Sequence, residues 1–432
     1  MKTQVLLSAP IVPMLLRLSA PGVLLVLFQS MVSVGDTYFV GRLGTEPLAA
    51  LALVFPLIML LQMTSAGAMG GGVSSAIARA LGSGSPALAR RLVVHALVIA
   101  CAMGAGFSVL VLFFGESLYH LLGGRSETLG NALRYSNIVF GGAMTVSVAN
   151  TLSSVLRGSG NMLTPALTLI GAAMIHLPLS ATLVARIGIA GAGIAYVTTF
   201  GIAALVMAAI VWRSSLLRPR RGDWGLEWRL FREILRVGGI SVLSALQTVL
   251  TAVIVTGFVG RYGAAALAGY GVGLRLELLQ IPLVFAVGQA LVVLVGTHIG
   301  AGRADRARRI AWAGAALAAS ISLAIGITVS IFPLAWVGLF SDDAGVLESG
   351  SQYLRTVAPF YPLLAAGIAL YFASQGAGRV LRPMLAGTAR LAIVVAGGLA
   401  VVSLQGVFIV IAAAMIAFGV LTLWFVASAD WH

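Results

Sequence analysis

Long apolar runs, punctuated by Gly, Pro and clustered charge, divide the chain into twelve segments. They lie near 11–40, 48–80, 87–114, 128–157, 162–184, 190–212, 232–261, 265–299, 305–337, 346–375, 381–403 and 406–427. None has the period-two alternation of a half-buried strand, and each reaches the ~20 residues that a bilayer-crossing helix needs. Hydrocarbon does not tolerate unpaired backbone polar groups, so the expected fold is an all-α integral membrane protein of twelve transmembrane helices. The most polar stretch contains Ser214, Ser215, Pro219, Gly222 and Asp223 among arginines. It predicts a first lobe over 1–213, a cytoplasmic linker over 214–231 and a second lobe over 232–432.

The two lobes repeat one another. Phe39-Val-Gly-Arg-Leu-Gly44 recurs as Phe258-Val-Gly-Arg-Tyr-Gly263, and Leu60-Leu-Gln62 as Leu278-Leu-Gln280. Gly82, Gly84, Arg90 and Arg91 recur as Gly300, Gly302, Arg308 and Arg309; Gly158-Ser-Gly160 with Pro165 recurs as Gly376-Ala-Gly378 with Pro383. Six spans, an even number, separate equivalent points, so the halves share one orientation. That is a parallel repeat of two six-helix bundles, an architecture expected to rock around a cavity between them. The match fails at one informative place, where Asp36 is answered by Val255.

Composition sharpens this picture. The 432 residues are 59% hydrophobic and 9% charged, with a mean hydropathy of +1.03, which fits lipid as the solvent. The net charge of +14 would suit a nucleic-acid partner, but its placement excludes that reading. Arg79, Arg90 and Arg91, then 213–236, then 303–309, then Arg379, Arg382 and Arg390 mark alternate connections, the positive-inside pattern. Both termini are therefore expected in the cytoplasm, and Met1-Lys2-Thr3, followed by Pro10 and Pro13, predicts no cleavable leader. Arg-over-Lys usage and high Ala content suit a bacterial inner membrane. Cys101, the single cysteine, reads as a buried small hydrophobe.

Asp36 is the leading candidate for chemistry. It precedes the loop at Gly41 by about five residues, hence lies roughly 7 Å inside the end of its helix. An intramembrane carboxylate costs about 2.5–3.5 kcal/mol at a helix centre on insertion scales, so it faces a cavity or a partner. Pro21 lies in the same span and predicts a hinge. Gln29, seven residues before Asp36, shares its face. Asn137 and Asn150 in span four suit either a cavity or a helix-to-helix hydrogen bond. Arg275 and Glu277 in span eight are spaced by two, cannot simply pair with each other, and read as a polar cluster of the second lobe. His176 reads as a packing residue, leaving Asp36 without a partner in span five.

No His-Glu-x-x-His pattern, no paired intramembrane aspartates and no phosphate-binding loop occurs. The chain is thus expected to be no enzyme, with no metal site and no cofactor; Asp342-Asp343 reads as a solvated turn. An ion gradient can supply the energy, about 2.3 kcal/mol per charge per 100 mV.

Three motifs together resemble the multidrug and toxic compound extrusion (MATE) family over nearly the whole chain. They are Asp36-Thr-x-Phe-Val-Gly-Arg-Leu-Gly, Leu156-Arg-Gly-Ser-Gly-Asn161 with Pro165, and Gly296-Thr-His-Ile-Gly-Ala-Gly302 with Arg306-Ala. The resemblance implies two six-helix lobes forming a V-shaped cavity, and exchange of protons or sodium ions for cationic or amphipathic compounds. It further implies Asp36 as coupling residue, Pro21 as bending proline, and Gln29 and Asn150 as cavity residues. Arg275 resembles an arginine of the eighth helix, and Tyr196 occupies the place of a threonine common in the sixth span. The sequence departs from the family in span five, where Ala173-Met-Ile-His-Leu-Pro178 lacks the amide and acid of a sodium cage.

These features together predict a monomeric antiporter that exports drugs or metabolites, driven by H+ at Asp36. Sodium coupling and a lipid-linked sugar flippase remain alternatives within transport; a non-transporting scaffold or receptor is the alternative outside it.

Overall fold

The computed structural model describes residues 3–429 and Trp431; the terminal residues Met1, Lys2, Asp430 and His432, expected in the cytoplasm, lie outside the described residues. Among the described residues the chain is helical throughout its ordered elements. Eleven helices are long and apolar enough to cross a membrane, and one bent pair completes twelve. In chain order they are α1 Ile11–Gly41, α2 Thr45–Gly82, α3 Pro86–Leu121, α4 Ser126–Gly141 with Ala143–Gly158, α5 Leu163–Ile187 and α6 Ile189–Arg213. The second set is α7 Trp228–Gly260, α8 Ala264–Gly300, α9 Ala304–Ile331, α10 Ala344–Gly376, α11 Leu381–Ala400 and α12 Leu404–Ala427. Short helices at Thr3–Ser8 and Pro333–Val337 flank them.

The repeated glycines explain themselves as turns. Gly44 and Gly263 (φ 125° and 97°), Gly84 and Gly302 (72° and 69°), and Gly160 and Gly378 (81° and 75°) lie in matching left-handed conformations after matching helices. A side chain is strained there, so the same residue type is required twice.

Two irregularities distinguish the first set. In α2 the ladder widens into a π-helical segment at Met63–Met69, beside Gln62; such segments often occur at functional sites. Helix α4 bends by 48° at Gly142. A Cβ at Gly142 would lie 2.4 Å from Val197 of α6, and one at Gly104 of α3 would lie 2.3 Å from the Met144 Cα. The bend sits where α4 is pressed against α3 and α6.

By contacts the chain forms two compact units, Ala20–Gly239 and Gln4–Ser19 with Ile240 onward. The division therefore falls inside α7, not in the stretch 214–231. Leu217, Leu230 and Ile234 are buried in the apolar core of the first unit, and ion pairs add to that attachment: Asp223 pairs with Arg90 (3.0 Å), Glu227 with Arg91, and Glu233 with Arg79 (3.2 Å). Together they bind the linker and the start of α7 to α2 and α3. Burial alone would push the Asp223 carboxyl up, but the Arg220 backbone N–H and the Arg90 guanidinium outweigh it and hold the group below its ordinary value. A hydrogen bond from Arg91 likewise holds Glu227 down. His95 completes the junction, its Nδ1 2.7 Å from the Arg91 carbonyl while Nε2 accepts the Glu227 backbone N–H at 2.9 Å.

Cys101 is half-buried and carries a free thiol, so the expectation of full burial is corrected. Asp343 accepts a hydrogen bond from the Val346 N–H at 3.0 Å and caps α10; Asp342 is exposed.

Candidate functional site

Glycine brings the site together. A Cβ on Gly35 would stand 2.4 Å from the Leu177 Cδ2, so α1 and α5 approach closely just where Asp36 and His176 follow one another across the interface. His176 Nε2 lies 2.9 Å from both Asp36 oxygens, and the Ser180 hydroxyl donates to Oδ1 at 2.6 Å. Residues 176 and 180, four apart, share one face of α5. All three are buried; Asp36 is 8% exposed and His176 2%.

The expectation that Asp36 has no partner in span five is thus overturned, and His176 is no mere packing residue. Its other nitrogen, Nδ1, lies 3.3 Å from Thr199 Oγ1 on α6. That hydroxyl can donate its one proton to the Ala195 carbonyl at 2.8 Å. With the proton so placed, Nδ1 donates to Thr199, and Nε2 shares one proton with the Asp36 carboxyl group. Tyr135 and Tyr196 stand within electrostatic reach of Asp36.

A second polar group continues from α6. Gln62 donates to the Tyr196 hydroxyl at 2.7 Å, and Asn150 donates to Gln62 Oε1 at 2.9 Å and to Ser65 Oγ at 2.8 Å. The widened segment of α2 starts at the next residue after Gln62. Asn150 and Tyr196 therefore belong to one network, whereas Gln29 and Asn137 are exposed and lie apart from it. Pro21 is inside the unbroken α1, one residue after the first unit begins.

Sequence reasoning missed Ser180, Thr199, Gln62 and Ser65. The available signals were the i, i+4 spacing of His176 and Ser180 and the position of Gln62 in a repeated block. The repeat also shows what is special about the pair. The register that aligns Gly160 with Gly378 sets Val394 opposite His176, and Val255 already answers Asp36; both valines are buried in the apolar core of the second unit.

The second unit has a different polar centre. Glu277, 5% exposed, accepts a hydrogen bond from the Tyr353 hydroxyl and interacts electrostatically with Arg390 of α11. Tyr270 packs edge-on against Tyr353 with centroids 5.3 Å apart. Arg275 is not in this cluster, which corrects its grouping with Glu277: it is exposed, with its guanidinium 5.2 Å from the Phe340 ring centroid. Spacing by two on a helix turns the two side chains to different faces.

The family model MatE matches residues 21–182 and again 240–399. The chain belongs to the MATE family. The doubled match covers both repeats, and the protein is a multi-pass membrane transporter, not an enzyme. A Shewanella oneidensis protein named FAD transporter is 28% identical over 376 residues, 85% of this MATE chain and 82% of that protein. A Thermotoga maritima protein named probable multidrug resistance protein NorM is 23% identical, with 86% and 81% covered. Among solved structures, a MATE in the bent conformation superposes with a TM-score of 0.91 at 23% identity, covering 99% of this chain and 97% of that one. A MOP superfamily transporter from Pyrococcus furiosus gives 0.90 at 23% identity, with the same coverage. These structures establish the shared fold.

Proposed function

We propose that this transporter exports small amphipathic, cationic compounds across a bacterial inner membrane in exchange for protons held by Asp36 and His176. The observation that carries the reading is the buried Asp36–His176 contact at a place where the second unit has Val255 and Val394. A buried ion pair is a poor source of stability, and apolar residues of similar volume commonly serve as well or better. The pair therefore has a reason to exist other than holding the fold.

The chemistry follows from the hydrogen-bond inventory. In this reading an aspartate facing an imidazolium holds α1 to α5. A proton arriving on the carboxylate removes the charge attraction and turns an acceptor oxygen into a donor. The contact with His176 and the Ser180 hydroxyl must then rearrange, and α1, with Pro21 as its hinge, is free to shift. Gln29 and Asn137, exposed on α1 and α4, line the substrate path in this reading, and the Gln62–Asn150–Tyr196 network senses the shift through Thr199. A sodium ion prefers several oxygens, but His176 nitrogen occupies both carboxylate oxygens, which favours H+ as the coupling ion.

The test is efflux of a fluorescent cationic dye from proteoliposomes, with an imposed pH gradient and with sodium present or removed. Asp36→Asn is expected to abolish gradient-driven efflux. Dependence on sodium at constant pH would replace the proton. A second reading, export of a flavin dinucleotide, draws on the 28% identity to the Shewanella FAD transporter; flavin fluorescence in the same vesicles separates the two cargoes.

A further inference from the structure

A cavity of about 480 Å³ opens in the second unit, between α10, the start of α12 and the short helix Pro333–Val337. It lies at the end of the second unit's bundle opposite Arg303 and Arg309. The volume falls within the roughly 300–1,000 Å³ of small-molecule sites.

The lining has a regular origin. Glu348, Ser351, Gln352, Arg355 and Thr356 of α10 all face the cavity, and their spacing of three and four is that of one helical face. The opposite face, with Val346, Tyr353, Leu354 and Val357, is buried in the apolar core. Two polar atoms at the cavity are buried yet without a hydrogen-bond partner, Ser351 Oγ and Gln405 Oε1. Ser351 is 8% exposed, and Gln405 spends its amide N–H on Thr356 Oγ1 at 3.2 Å, leaving its oxygen free. Unsatisfied buried polar atoms call for a ligand or an ordered water.

Charge selects the ligand. Glu348 and Arg355 are seven residues apart, which is about 10 Å along the axis at 1.5 Å per residue. No ion pair within 4 Å joins them among the described residues. One end of the cavity therefore offers a carboxylate, the other a guanidinium and, beside Thr356, a free amide oxygen, with Leu334 and Leu347 as apolar wall. We propose that this cavity binds a zwitterionic amphiphile, its ammonium at Glu348 and its carboxylate at Arg355. The ligand class bears on the export reading above, but the site stands or falls by equilibrium binding alone.

The probes are rhodamine B, a zwitterion, and its ethyl ester, a cation of the same frame. Fluorescence anisotropy with purified protein in detergent, without any gradient, reads binding. Arg355→Gln is expected to weaken rhodamine B about tenfold and to leave the ester unchanged; Glu348→Gln is expected to weaken both. Asp36→Asn should change neither, while abolishing gradient-driven efflux, so failure of the coupling reading is seen separately. Both α10 substitutions are at exposed positions, and an unchanged thermal unfolding curve verifies the fold. Equal loss of both probes in Arg355→Gln, or no loss in either variant, overturns the assignment. Loss confined to Glu348→Gln also overturns it, since the site would then recognise cations only.

Discussion

Copying the second unit's solution into the first gives the most direct test of the Asp36–His176 pair. The perturbations are His176→Val, Asp36→Val and the double variant, which reproduces the Val255 and Val394 pattern. In His176→Val, Asp36 keeps only the Ser180 hydroxyl of its three short contacts. Removing one member of a buried pair leaves an uncompensated charge and is expected to destabilise by about 3–5 kcal/mol. The double variant removes both charges. Ser180 can then turn its hydroxyl to the carbonyl one helical turn back, and the expected net change falls to within about 1 kcal/mol of wild type, or is stabilising. The double-mutant cycle should thus show a coupling of about 3 kcal/mol or more, at the upper end for residues in contact. Equilibrium unfolding in detergent measures the cycle, and gradient-driven dye efflux from proteoliposomes measures function. Efflux is expected to vanish in the double variant despite its stability. A stable His176→Val single variant would refute the charged pair, and gradient-driven efflux by the double variant would refute its role in coupling.

Three further outcomes are expected. The Asp223 and Glu227 carboxyls are held below their ordinary values in the fold, so the stability they contribute is present above the unfolded-state values and lost as pH falls through the lower folded ones; limited proteolysis of 214–231 should accelerate below about pH 4 and not between pH 6 and 8. Gly104→Ala sets a Cβ 2.3 Å from the Met144 Cα and is expected to cost about 1–3 kcal/mol by overpacking, whereas Gly106→Ala, which meets nothing within 4 Å, should be neutral; thermal unfolding distinguishes them. Glu277→Gln leaves Arg390 without its counter-charge and should lower the unfolding temperature before it affects proton coupling; normal stability with lost efflux would instead make Glu277 part of the transport machinery.

The helices were legible because their cause is local. A run of apolar residues in lipid must satisfy its own backbone, and glycines at Gly44 and Gly263, Gly84 and Gly302, Gly160 and Gly378 end matching runs with matching turns. Asp36 stood out for the same reason, since a carboxylate in such a run is costly wherever it lies. Partners were not legible. Arg275 and Glu277 are close in the chain but face different neighbours, and the polar stretch 214–231 reads as a free linker until Asp223 and Glu227 meet Arg90 and Arg91.

Membrane solvent, twelve helical spans, their two-fold repetition and an Asp36 answered by Val255 were already written in the chain, because hydropathy, periodicity and turn chemistry act over a few residues. Only the tertiary structure decided that Asp36 faces His176 and Ser180, that Gln62 joins Asn150 to Tyr196, and that α10 turns an unpaired Glu348 and Arg355 to one cavity. Those contacts join residues up to 144 positions apart, and their geometry is set by how closely helices approach at positions such as Gly35 and Gly142, which no local pattern records.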